Sequence, residues 1–181
     1  MKYFLIPVFI VFLSINAFAQ DNDNPLDNSF TFGLRTGYNT FALSADNLTP
    51  YTSGYYGGFF FEKKLSEIWA LQFETNFNYN GSSTLQFPLL LKYKIAEKFQ
   101  LFGGPQLSYS FEQKNIDKAN RNKRFGMSLI LGMQYDISKK WFVEARYTHG
   151  LTDQFSVFQG LNVDPVFAKQ RSFSLGIGYK F

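Results

Sequence analysis

A chain of 181 residues is about one domain long and is long enough to bury a substantial core. It has no cysteine, which excludes a disulfide framework, a thiolate metal site and a lipid-anchored cysteine after an export signal. Its net charge of +4, with no Lys/Arg cluster interleaved with aromatics on a helical face, argues against a nucleic-acid binder. Aromatics make up 20% of the chain while the mean hydropathy is −0.17, a combination that suits alternating strands better than buried helices.

Residues 1–19 read as a secretory signal. Lys2 gives the positive start, Phe4 to Ile15 the apolar stretch, and Ala17-Phe18-Ala19 the small-x-small cleavage pattern. The competing reading is a membrane anchor, but the apolar run is short and is interrupted by Pro7, Ser14 and Asn16. No later stretch reaches the roughly 18 apolar residues of a spanning helix, so only strands are expected to hold the chain in a membrane. Residues 20–28 form a polar leader, expected to be flexible and periplasmic, and 29–181 the folded domain.

Strand one is predicted at about Ser29 to Leu43, with Phe30, Phe32, Leu34 and Tyr38 on one face. Strand two, about Tyr51 to Lys63, opposes Tyr55, Phe59 and Phe61 to Tyr56, Phe60 and Glu62. Strand three, about Ile68 to Asn80, alternates Trp69, Leu71, Phe73, Phe77 and Tyr79 with Gln72, Glu74, Asn76 and Asn78. Strand four is about Thr84 to Ile95 and contains Pro88, which cannot donate to a ladder. Strand five covers about Lys98 to Gln113, with Gly103-Gly104-Pro105 expected to bend it. Strand six is about Arg124 to Asp136, and strand seven about Lys140 to Leu151. A long loop, 152–168, leads to a closing strand, Arg171 to Phe181, in which Phe173, Leu175, Ile177, Tyr179 and Phe181 recur at every second position.

That makes eight strands, and three of their connections repeat a pattern. Leu65-Ser66-Glu67-Ile68-Trp69, Ile95-Ala96-Glu97-Lys98-Phe99 and Ile137-Ser138-Lys139-Lys140-Trp141 each place an aromatic four residues after an aliphatic. Short turns at one end, longer loops at the other and aromatics beside the turns predict an all-β, eight-stranded, antiparallel, up-and-down transmembrane barrel. An even strand number puts both termini on the short-turn side, which is expected to be periplasmic.

The stretches Leu85–Tyr109 (LQFPLLLKYKIAEKFQLFGGPQLSY), Phe142–Asp153 (FVEARYTHGLTD) and Arg171–Phe181 (RSFSLGIGYKF) resemble the PorT-type, porin-family outer-membrane β-barrel domain proteins of Bacteroidetes, small barrels of the OmpA/OmpX kind. The resemblance implies insertion in outer-membrane lipid, with terminal Phe181 as the signal read by the barrel-assembly machinery. One branch of that family resembles secretion components, and no catalytic motif is implied.

Sorting the strands by face places Arg35, Glu62, Glu74, Lys92, Lys94, Glu112, Glu144 and Arg146 inside. Folding strands three and four about residues 81–84 sets Glu74 opposite Lys92 as an expected ion pair. An eight-stranded barrel is just wide enough for side chains to fill it, so a lumen charge network of Arg35, Glu62, Glu74, Lys92, Glu144 and Arg146 reads first as a polar plug. The sharper reading is a narrow ion path past Arg35, Glu74, Lys92 and Arg146. A carboxylate pair of Glu74 and Glu144 lacks any accompanying nucleophile or oxyanion motif, so no enzyme and no catalytic residue is expected. His149 stands alone on the outer face, which makes no metal site, and no cofactor is expected.

The expectation is therefore a monomeric, plugged outer-membrane scaffold whose outer loops meet an envelope or extracellular partner, above all through the apolar loop 152–168. That loop is expected to fold back as a lid or to serve as the contact surface. The alternatives are a small-solute or ion channel, an accessory component of a secretion system, and a soluble calyx with an apolar interior.

Overall fold

The computed structural model describes residues 30–44, 51–80, 82–111, 124–157 and 166–181. Eight strands close into one antiparallel barrel in which every strand pairs with its sequence neighbours. They are β1 (Phe30–Ser44), β2 (Tyr51–Lys64), β3 (Trp69–Tyr79), β4 (Ser83–Lys94), β5 (Phe99–Ser110), β6 (Phe125–Asp136), β7 (Trp141–Val157) and β8 (Val166–Lys180). β8 returns to β1 from Gly33↔Lys180 to Ser44↔Lys169, so the sheet has no free edge. The segments expected as signal and leader, 1–19 and 20–28, lie outside the described residues.

The three repeated connections are tight turns. Leu65 N–H donates to the Trp69 carbonyl (2.9 Å), Ile95 N–H to that of Phe99 (2.9 Å) and Ser138 N–H to that of Trp141 (3.1 Å). Their serines have a job: Ser66 Oγ accepts from Trp69 N–H (3.0 Å) and Ser138 Oγ from Trp141 N–H (3.1 Å). A short hydroxyl side chain satisfies backbone that has left the ladder. The aromatic that follows each turn then stacks across to the neighbouring strand, in the pairs Trp69–Tyr93, Phe99–Tyr135 and Trp141–Tyr179, with ring centroids 4.7, 4.8 and 4.9 Å apart. At the other end Tyr38–Tyr55 and Tyr109–Phe125 do the same. Two aromatic belts bracket an apolar outer band, the pattern of a barrel that meets two membrane interfaces.

Alternation inverts the usual order of a folded protein. On β8, Phe173 and Leu175 are 49% and 56% exposed while Ser172 and Ser174 face the lumen at 7% and 8%. Turning large aliphatic and aromatic side chains outward would be unfavourable in water and costs nothing in lipid. The soluble calyx, which needs the opposite orientation, is excluded by this arrangement.

Two expectations are corrected. The stretch 152–168 is not one long loop: β7 runs on to Val157, β8 starts at Val166, and they pair from Asp153↔Lys169 to Val157↔Val166, after register shifts between His149 and Phe155. Phe155, Val157, Val166 and Phe167 lie on the paired strands of this hairpin, and residues 158–165 lie outside the described residues. Glu74 does not face Lys92. A tight β3–β4 turn pairs Tyr79 with Ser83 and puts Lys92 opposite Ala70, a different register from the one expected. Lys94 keeps its inward face and lines the open short-turn end of the lumen, where it is exposed to solvent; Glu112 lies outside the described residues.

Pro88 and Gly103-Gly104-Pro105 leave β4 and β5 continuous. The pairing of β4 with β5 has the same register at Pro88↔Gln106 and at Leu91↔Gly103. Gly104 explains part of this, since a Cβ there would run into the Leu89 carbonyl oxygen.

Candidate functional site: the charged lumen

β1, β2, β3 and β7 turn Arg35, Tyr56, Glu74, Glu144 and Arg146 to the same level of the lumen, all buried. Each stands at an inward position of its strand, so period two alone aims them inward. Arg35 donates through Nη1 to Glu74 Oε2 and through Nη2 to Glu144 Oε1. Arg146 grips Glu74 with both ends, Nη1 to Oε2 (2.8 Å) and Nη2 to Oε1 (2.7 Å), and reaches Glu144 Oε2 (2.7 Å). Two guanidinium groups and two carboxylates thus form a closed, neutral quartet.

Neighbouring dipoles complete it. Gln72 and Asn76 donate to Glu74 at 2.5 and 2.8 Å, and Tyr56 donates to Glu144 at 3.1 Å. Arg35 lies over the Tyr56 ring (4.9 Å) and Arg146 over that of Phe102 (4.8 Å). Planar, always-charged guanidinium suits this bidentate and stacked setting in a way an ammonium does not. Gly176 gives Tyr56 its place, because a Cβ there would overlap the Tyr56 hydroxyl and touch Glu144 Oε1.

A second cluster lies toward the short turns. Lys92 Nζ donates to Glu62, to Gln72 Oε1 (3.0 Å) and to Gln134 Oε1 (2.9 Å), which uses all three of its protons. Gln134 and Gln100 donate to Asp136 (2.6 and 3.0 Å), which also pairs with Lys180 (2.9 Å). Gln72 touches both clusters. Between and beside them the lumen is apolar: Phe60 and Phe142 meet edge-on at 5.6 Å, and Leu90, Phe102 and Ile130 pack from the opposite wall. Gly178 makes room for the Phe142 ring, which a Cβ would overlap.

Two cavities flank this filling. On the loop side, a space of about 20 Å³ is walled by Arg35, Asn39, Asn76, Asn78 and Arg146. At the short-turn end the lumen widens into an open vestibule of about 660 Å³, with Lys92 at its floor.

The sequence-expected residues therefore divide. Arg35, Glu74, Glu144 and Arg146 meet in one cluster, Glu62 and Lys92 in another, and Phe181 lies outside both, stacked on Phe32 at 5.5 Å with its N–H on the Phe32 carbonyl. Sequence reasoning missed Tyr56, Gln134, Asp136 and Lys180 as partners. Their inward parity was the signal: each occupies the same face of its strand as the charges. His149 stays on the outer wall, 6.4 Å ring to ring from Tyr147. Among the described residues no group of acidic or histidine side chains can hold a metal ion.

A closed barrel with a polar, ion-paired interior, an apolar exterior and two aromatic belts defines a transmembrane outer-membrane barrel. The chain belongs to the outer membrane protein beta-barrel domain family, whose sequence profile matches residues 18–156. Among solved structures it is similar to Ail, the attachment invasion locus protein of Yersinia pestis, in complex with the heparin analogue sucrose octasulfate. That likeness has 14% identity and a TM-score of 0.56 over 84% of this chain and 99% of that one. A de novo designed transmembrane β-barrel is similar at 14% identity and a TM-score of 0.52, over 83% of this chain and 95% of that one. Identities this low speak to the fold alone. No curated protein matches the chain. The protein is an outer-membrane protein.

Proposed function

We propose that this barrel is a plugged scaffold, exported by a signal cleaved after Ala19 and inserted with its termini and short turns in the periplasm, whose activity lies in its extracellular segments. The observation that carries the reading is the filled lumen. Among the described residues, the quartet, Phe60, Phe142 and the Leu90–Phe102–Ile130 cluster fill the lumen up to a space of about 20 Å³ on the loop side, roughly room for one water. Contact with a partner then falls to the outer hairpins, above all the one that β7 and β8 extend to Val157 and Val166. Phe181 is the residue we assign to recognition by the barrel-assembly machinery, in keeping with the PorT-like resemblance. The barrel works as a monomer and without a cofactor.

A second reading, a narrow ion channel, is favoured by one specific feature: polar groups run without a break from the vestibule through Lys92 and Gln72 to Glu74. A role as an accessory in secretion draws only on the family resemblance.

Planar-bilayer recording of refolded residues 20–181 separates the first two. The scaffold reading expects a silent wild type, and discrete steps only in the Phe60→Ala/Phe142→Ala variant. Wild-type steps whose size changes in Glu74→Gln would establish the channel instead. Heat-modifiable gel mobility shows that each sample has folded.

A further inference from the structure

The short-turn end carries a charge that the paired lumen does not use. Lys63, Lys64, Lys94, Lys98, Lys139 and Lys140 stand on or beside the three turns, joined by Lys92 and Lys180 inside the rim. Against these eight cations the described residues of the same end include four acidic side chains, Glu62, Glu67, Glu97 and Asp136. Glu62 and Asp136 are already committed to Lys92 and Lys180. Even with a carboxylate at Phe181 the end remains cationic. It is also concave: Lys64, Lys94 and Lys139 line the 660 Å³ vestibule, a volume in the range of binding pockets.

One segment of this chain enters at that rim. β1 begins at Phe30, opposite Lys63 at the first short turn, and Thr31 is part of the vestibule wall. The residues just before it, 20–28, read Gln-Asp-Asn-Asp-Asn-Pro-Leu-Asp-Asn: three aspartates and no cation. Fully extended, nine residues span up to about 30 Å, more than the roughly 16 Å across a barrel of eight tilted strands. Tethering matters as much as charge. A short covalent tether presents the segment to the vestibule at an effective concentration of about the millimolar range, so weak, screened ion pairs suffice.

We propose that the vestibule is a docking site for an acidic peptide segment and that its occupant is the chain's own leader, residues 20–28, with its aspartates against Lys64, Lys94 and Lys139. The assignment is independent of whether the lumen conducts, because it concerns the end outside the sealed quartet. Other bearers of the same charge, such as phospholipid phosphates or a foreign acidic peptide, would compete for the same lysines.

The absence of native cysteine makes a direct test clean. Residues 20–181 carrying Asn24→Cys and Ala96→Cys are spin-labelled in nanodiscs of zwitterionic lipid, and the label-to-label distance distribution is recorded. Ala96 lies on the β4–β5 turn, across the closed barrel from β1, and is outside the proposed contact set. A narrow peak at low salt is expected. It should broaden in about 1 M salt, where the Debye length falls to about 3 Å, and equally in Asp21→Asn/Asp23→Asn/Asp27→Asn and in Lys64→Gln/Lys94→Gln/Lys139→Gln. A broad distribution in the unmodified background overturns the proposal. So does a narrow peak that survives the lysine substitutions, which would mean that the leader is held elsewhere. Loss of the peak only when anionic lipid replaces zwitterionic lipid would show the leader bound but displaced by phosphates, and supports the assigned lysines. All of these lysines are at turns, and gel mobility verifies that the barrel is intact in each variant.

Discussion

The two ion clusters of the lumen are built from the same chemistry and differ in what seals them. Around Glu74, two arginines, Gln72 and Asn76 enclose a carboxylate whose side chain is 0% exposed, with the Phe60–Phe142 pair toward the short turns. Around Lys92, the partner Glu62 is 8% exposed and both line the open vestibule. A buried charge that loses its partner has a space for about one water beside it in the first cluster and a wide, open vestibule beside it in the second. The lesson is that the cost of disturbing a lumen charge depends on access to solvent more than on the number of its hydrogen bonds.

The largest effect should therefore follow Glu74→Ala, which leaves two buried arginines, Arg35 and Arg146, to share the single carboxylate of Glu144. About 3–5 kcal/mol of stability should be lost, read by urea unfolding in lipid vesicles. Lys92→Met removes one partner of the wetter pair, and Glu62 can rehydrate through the vestibule. Its expected cost is about 1–3 kcal/mol, and a loss equal to that of Glu74→Ala would break the comparison. Next comes a steric test of the same quartet. Gly176→Ala would drive a methyl against the Tyr56 hydroxyl and Glu144 Oε1, and should cost about 1–3 kcal/mol by overpacking. Tyr56→Phe/Gly176→Ala, which removes the obstructing hydroxyl, should recover part of that loss.

How much of this was legible in the sequence follows from which signals are local. Strand identity and face depend only on parity, and from Phe73 to Tyr79 parity read the outer and inner residues correctly. The three short turns were legible because an aliphatic, a small or hydroxyl residue and an aromatic recur at fixed spacing, and the Ser66 and Ser138 hydroxyls have the local role that spacing implies. Register was not. Whether Glu74 meets Lys92 or Arg146 depends on the β3–β4 turn length and on how the strands tilt round the barrel, and Arg146 lies 72 residues away in sequence. The 152–168 stretch was misread for a related reason. Strand seven was ended at Leu151, yet two strands that already pair can continue past a register shift. The apolar layer of Phe60, Phe142 and Leu90 inside a polar lumen was also hidden, since nothing in one strand says which rings will meet across the barrel.

The smallest effect belongs to Lys180 and Asp136, and it sharpens the gradient from sealed to open. Their side chains are 15% and 17% exposed, the wettest of the described lumen pairs, and their contact of 2.9 Å is the longest. Lys180→Gln should cost at most about 1 kcal/mol, because water and the amides of Gln100 and Gln134 keep Asp136 solvated. Salt supplies the independent check. Raising ionic strength should weaken the Lys180–Asp136 coupling measured by a double-mutant cycle and leave the Arg146–Glu74 coupling unchanged, since mobile ions reach only the first. If both couplings fall together, the quartet is wet, the apolar layer around Phe60 and Phe142 does not seal it, and the plugged-lumen reading fails with it.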